Sequence, residues 1–436
     1  MRLRSRLKAI PAIIYTALLV LVCISGPFHE APSDVKPLIG PAPAAEVTLS
    51  CGTYPVETTE LTAVIQSEDI SKLDSLSYLT RADFSGSSCW KEIAEWGQAH
   101  PLLELKYTVT LPDGTVLDNS AAELDLSSLG HAAAAETAEA LACLPAVTHI
   151  KLGAQSAGSD ALTLADIGAI HEACPNAELD YSLTLYGHEI NLSASSLDFR
   201  GTEISDEAAA LNEVLPLMLR CSYLDMDNTG VSNEALAKIR EQFPNIDVVW
   251  RVWFGTNYSV RTDTERILAS KPTVGGMIYD ASVLQYCTKV KYLDLGHNDE
   301  LPSIDFVRNM PELEVLIIAM TAVRDISPLE SCPKLEYLEL NSTNIADISP
   351  LKNSTGLHHL NIAGCPNIKD ISPLYGLTEL ERLWIGCDTP VPDKQVSAMK
   401  AAVPGCTINT TTDDPHGGAW RYTGYCLLYT SDAADE

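Results

Sequence analysis

Two adjacent histidines, His358 and His359, form the only such doublet in a chain of 436 residues with ten histidines, twelve cysteines and 58 acidic side chains. These are the residue types that ligate metals, attack carbonyls or shuttle protons, so their spacing comes first. Neighbours along a strand point to opposite faces, which argues against one metal ion shared by the doublet. The cysteines include no Cys-x-x-Cys pair and no interleaved histidine set, which speaks against a zinc site. They do not read as a disulfide framework either. Cys174, Cys332 and Cys365 fit buried free thiols, and Cys387 with Cys406 is a candidate bridge in an exported protein. No Gly-x-Ser-x-Gly elbow, phosphate loop, His-Glu-x-x-His helix or dinucleotide fingerprint is present. With 58 acids, a carboxylate pair suited to glycoside hydrolysis can be assembled anywhere, so none carries information. The sequence therefore names no catalytic residue, no metal ligand and no cofactor.

What it does contain is repetition. Asp-Ile-Ser-Pro-Leu occurs at 325–329, again within 347–351 and again at 370–374. Each copy follows an apolar triplet of fixed spacing: Leu313, Leu316, Ile318; Leu335, Leu338, Leu340; Leu357, Leu360, Ile362. Val290, Leu293, Leu295 precede these and Leu380, Leu383, Ile385 follow, with starts 23, 22, 22 and 23 residues apart. A unit this short cannot enclose its own core, so the copies must stack, one short strand per coil. The last two apolar positions of each triplet lie on one side of that strand and face the core. Asn298, Thr321, Thr343 and Cys365, three residues further on, are placed to hydrogen-bond the turning backbone of their own and the neighbouring coil. Ile326, Ile348 and Ile371 plug the far side, Ser caps a short helical turn, and Pro opens it with φ already set.

This pattern resembles the leucine-rich repeat family, and its Asp-Ile-Ser-Pro-Leu form resembles the bacterial internalin-type subclass of surface proteins. The strong match covers about residues 286–390. The resemblance implies an α/β solenoid, with parallel strands lining a concave face where partners dock. Two files of residues fall on that face: Tyr292, Val315, Tyr337, His359, Arg382, and beside them Asp294, Ile317, Glu339, Asn361, Trp384. Aromatic residues on a rigid sheet suit binding hot spots, so the candidate ligand-binding set is Tyr292, Asp294, Ile317, Tyr337, Glu339, His359, Asn361, Arg382 and Trp384. Tyr337 and Trp384 lead it. The competing reading is that these are ordinary strand residues packed against cross-strand neighbours.

Residues 51–285 carry a longer, looser unit. Leu79-x-x-Ala82-x-Phe84, Val147-x-x-Ile150-x-Leu152 and Cys221-x-x-Leu224-x-Met226 mimic the triplet at spacings of 68 and 74. Each precedes a helical stretch that closes on Pro101, Pro175 or Pro244, after which apolar residues alternate and predict a strand or hairpin. The same device, with Pro404, ends the regular repeats at about residue 411. Trp90, Trp96, Trp250 and Trp253 lie in helix or strand patterns and are expected mostly in the core.

The ends differ from this body. Arg2, Arg4, Arg6 and Lys8 precede an apolar run from Ala9 to about Cys23, so residues 1–26 read as a signal peptide or a signal anchor, and both stand. Residues 27–50 form a Pro-rich linker. Residues 412–436 form a tail without repeat phase. Its ending, from Tyr425, resembles translated sequencing-adapter read-through, which sets it apart as non-native. The net charge of −29, which loss of the leader deepens, speaks against nucleic acid and anionic membrane surfaces. The expectation is an exported or cell-surface binding protein for a protein or glycan, touching membrane only through its N-terminal segment. A passive spacer is one rival, and an enzyme with a site in 51–285 is another.

Overall fold

The computed structural model describes residues 45–411 other than Cys387, together with Trp420. Its centre is a seven-stranded parallel sheet with strands in sequence order: Arg266–Leu268, Tyr292–Asp294, Val315–Ile317, Tyr337–Glu339, His359–Asn361, Arg382–Trp384 and Thr407–Asn409. Each apolar triplet supplies one strand. Adjacent strands align without slippage, so Leu293, Leu316, Leu338, Leu360 and Leu383 stack in one row. All five are fully buried, as are Leu295, Ile318, Leu340 and Ile362. Truncating any one to alanine removes packing worth about 2–5 kcal/mol.

The turn after each strand is built as the spacing implies. The Asn298 side chain donates to the carbonyls of Ala269 and Leu295, 3.0 and 2.8 Å away, and accepts from the Ile278 amide at 2.9 Å. Thr321 donates to Ile318 and Thr343 to Leu340, at 2.8 and 2.7 Å, while the Cys365 thiol lies 3.2 Å from that same Leu340 carbonyl. Thr389 continues the series with a 2.8 Å bond to Ile362. The residue just before each is left-handed: His297, Met320, Ser342, Gly364 and Asp388 have φ of 57 to 70°. Only one of the five is glycine, so the stacked coils hold four side chains in a conformation they disfavour.

The Asp-Ile-Ser-Pro-Leu phrases form 3-10 turns at Ser327–Ser331, Ser349–Asn353 and Ser372–Gly376. Ile326, Ile348, Ile371 and the three leucines are buried as expected. The cap is a correction: no serine side chain caps these turns. Asp325, Asp347 and Asp370 instead accept the backbone N–H of Ser327, Ser349 and Ser372 at 2.8–2.9 Å. Those bonds hold the Asp347 and Asp370 carboxyls below the usual carboxylate range. The helix Asp393–Ala402 and the strand Thr407–Asn409 end the array.

Upstream, three longer units precede this sheet, each with three parallel strands. Their middle strands are Arg81–Asp83, His149–Ala154 and Tyr223–Asp225, where the looser triplets lie. The helices Trp90–Ala99, Leu164–Ala173 and Asn233–Gln242 occupy the stretches read as helical. Each third strand leads into a hairpin, such as Arg251–Phe254 with Tyr258–Arg261, which interrupts the ladder. The upstream region is therefore three short parallel sheets, with two-stranded antiparallel ribbons beside them, rather than one, joined by a continuous hydrophobic core. The last hairpin is tied down by charge: Arg261 sits 3.0 Å from the buried Asp225 and 3.4 Å from Asp227, and Arg251 sits 3.0 Å from Asp227. Trp250 is buried and Trp90 and Trp96 pack at the core edge, but Trp253 alternates outward on the hairpin and is exposed.

The described cysteines are unbridged, and burial pushes the Cys174 and Cys332 thiols up to about 11. The Cys387–Cys406 pairing lies outside the described residues, as do the leader, most of the Pro-rich linker and the tail except Trp420.

Candidate functional site

The two files lie in register on the sheet face opposite the core, the concave side of a leucine-rich repeat coil. The sequence reading takes this face as exposed, and the structure differs. Tyr292, Ile317, Tyr337, Glu339, His359, Asn361 and Trp384 are all buried; only Asp294 and Arg382 are half-buried. A second apolar cluster, separate from the core, explains this. It joins Tyr292, Val315, Ile317, Ala319, Tyr337 and Trp384 to Trp420, a residue of the tail.

Trp420 is 1% exposed and lies in a box of the candidate residues. Its ring centre is 5.2 Å from Trp384, 5.7 Å from Tyr337 and 6.5 Å from His359. The Arg382 guanidinium stacks 4.4 Å above the indole, and its Nη2 donates to the Trp420 carbonyl at 2.9 Å. At the floor, the indole Nε1 donates to Glu339 Oε1 at 2.9 Å, and the Tyr337 hydroxyl donates to the same oxygen. A buried carboxylate oxygen needs such donors, because burial without them costs several kcal/mol. Burial, together with Arg382 and then His358, depresses the His359 imidazole to about 4, against a smaller opposing pull from Glu336. His359 is therefore neutral at physiological pH.

The files do not serve one purpose. In seven strands the third residue is an Asp or Asn whose side chain accepts the amide two residues on: Asp83, Asp125, Asp198, Asp225, Asp294, Asn361 and Asn409 at 2.8–3.1 Å. Asp294 and Asn361 thus secure turns. In the seven-stranded sheet Leu268, Ile317, Glu339 and Trp384 stand at this position instead, and Glu339 and Trp384 meet around Trp420. Trp420 itself was missed, having neither repeat phase nor motif.

Cavities upstream show less. One of about 370 Å³ lies beside the helix Trp90–Ala99, lined by His100, Tyr107, Asn119 and Cys143 among apolar neighbours. Its polar groups are engaged by the fold: Tyr107 donates to the Cys143 carbonyl at 2.6 Å, and Asn119 bonds the Tyr107 amide and the Leu105 carbonyl. Another of about 310 Å³ lies under Trp253, where Asn233 accepts from the Trp250 indole at 2.8 Å. Among the described residues, no three His, Cys, Asp or Glu side chains converge as a metal site would need, and no helix is long and apolar enough to cross a membrane.

The family model for leucine-rich repeats, taken as two copies, matches residues 311–353. Among solved structures, an internalin of Listeria monocytogenes is similar at 17% identity, over 83% of this chain and 86% of its own, with a TM-score of 0.32. Internalin C2 of the same organism is 17% identical over 68% of this chain and 92% of its own, with a TM-score of 0.28. A leucine-rich repeat protein of Leptospira interrogans is 14% identical over 80% and 99%, with a TM-score of 0.32. No curated protein matches the chain. The phased triplets, the parallel ladder with its hydrogen-bonded turns, and the match over 311–353 together mark the seven-stranded region as a leucine-rich repeat array.

Proposed function

We propose that this protein is an exported binding protein that recognises a protein or glycan through its concave strand face, without catalysing a reaction. The observation that carries the reading is the second apolar cluster. An outer sheet face with no role beyond solubility has no need of an aromatic box with a carboxylate at its floor, and a passive spacer predicts no such patch. The box residues Tyr337, Glu339, His359, Arg382 and Trp384 form the ligand contact, while Asp294 and Asn361 shape the turns beside it. The basic leader and its apolar run support the export in this reading. The enzyme rival finds little support, since the upstream cavities have their polar groups tied into the fold.

The test is a screen of the full chain against glycan and host-protein arrays, beside the Tyr337→Ala, Trp384→Ala double variant with folding checked by circular dichroism. A ligand bound by the parent and lost by the folded variant supports the concave face. Binding that survives the double change places recognition elsewhere.

A further inference from the structure

The contacts around Trp420 specify more than a generic patch. The indole is enclosed on three sides by Trp384, Tyr337 and His359, at 5.2–6.5 Å between ring centres, and the Arg382 guanidinium covers it at 4.4 Å. Three features of a tryptophan residue are read separately. The flat ring is read by stacking, the indole N–H by Glu339 Oε1 at 2.9 Å, and the main-chain carbonyl by Arg382 Nη2 at 2.9 Å. A phenylalanine stacks in the same box with a smaller ring and has no N–H for the buried carboxylate. A site built around such a bond rejects the analogue that lacks it far more strongly than size alone allows. The carbonyl contact makes the recognised group a peptide residue rather than a free indole or a sugar ring.

We infer that the box around Glu339 and Trp384 is a reader of tryptophan-bearing peptide segments, and that Trp420 is its occupant within the same chain. The inference rests on the concave-face reading and narrows its ligand to a peptide. A partner peptide presenting a tryptophan competes with Trp420. Because the resident indole is tethered, it acts at an effective concentration near the millimolar range and weakens a competing peptide by the ratio of that concentration to the resident segment's own dissociation constant. The tail is thus both a model of the ligand and a brake on its binding.

The probe is the peptide of residues 417–422, Gly-Gly-Ala-Trp-Arg-Tyr, acetylated, amidated and fluorescently labelled, titrated into the full chain by anisotropy. Trp420→Ala is expected to bind it at least tenfold more tightly than the parent. Adding Glu339→Gln to that variant, or replacing the peptide's tryptophan by phenylalanine, is expected to weaken binding at least tenfold. Trp420→Phe keeps an aromatic ring, smaller and without the N–H, and gives the same direction should the alanine variant fold poorly. A folded Trp420→Ala or Trp420→Phe protein that ignores the peptide overturns the inference. So does equal binding of the phenylalanine peptide, or displacement of the labelled peptide by oligosaccharides alone. The array screen separates the two readings. An array ligand lost with Tyr337 and Trp384, while the folded Trp420 variants ignore the peptide, keeps the concave face and removes the tryptophan reader. The reverse pattern keeps the reader and removes the concave face as the site for that array ligand.

Discussion

Acid should loosen the box through His359, and the size of the effect follows from its surroundings. The imidazole is 4% exposed, and it is flanked by Arg382 on the next strand, by His358 beside it and by Glu336 on the preceding coil. Burial is the largest influence, the Arg382 charge the next, and together they bring the ring from 6.5 to about 4. Between those values the unfolded chain holds a proton that the folded chain does not, so stability is full above pH 6.5 and falls as pH drops toward 4. At about 1.4 kcal/mol per pH unit, the loss over that window is about 3 kcal/mol. Urea unfolding at pH 7.5, 5.5 and 4.5 measures it, with His359→Gln as the reference that removes the background of titrating carboxylates. The advantage of wild type over the variant should shrink steadily with acid, and the His359 ring proton should titrate near pH 4 by NMR. A constant difference, or a midpoint near 6.5, would refute the burial of a neutral imidazole in this face.

Other perturbations reach different parts of the account. Glu339→Ala removes the acceptor shared by Tyr337 and Trp420 and should cost about 2 kcal/mol or more, read as a lower urea midpoint. Arg261→Met removes the nearest cation from the buried Asp225, leaving it Arg200 at 3.8 Å, and one of the two arginines at Asp227, and should cost about 2–3 kcal/mol in the same assay, because a buried acid that loses its main partner is costly. Gly364→Ala places a methyl group at φ +70° and 3.0 Å from Ser342 Oγ, so a loss of about 1–2 kcal/mol is expected from the melting temperature.

The regular coils were legible because five triplets agree in phase, and each names its own core residue. Leu316, Leu338 and Leu360 could not change face without misplacing every neighbour in the ladder. The serine cap was misread for a local reason. Asp and Ser are both good acceptors at a turn entry and stand two residues apart, and the 3-10 geometry starting after Ile326 gives the bond to Asp325. The upstream units were read in outline, since the prolines after their helices do introduce strands. How the last hairpin seats depends on Arg251 and Arg261 meeting Asp225 and Asp227, a long-range pairing that no periodicity encodes. The concave face was the hardest part. Its residues lie together on one face, but the packing of Trp420 among them, far along an aperiodic tail, has no signal in the repeat.

The most direct measurement of the central claim is fluorine NMR of the full chain labelled with 5-fluorotryptophan, with the Trp420 resonance assigned by its loss in Trp420→Phe. An indole seated in the box gives a shift away from the free amino acid, little change between H2O and D2O, and a clear displacement in Glu339→Gln. A random-coil shift with a full solvent isotope effect, unmoved by Glu339→Gln, would contradict an occupied concave face.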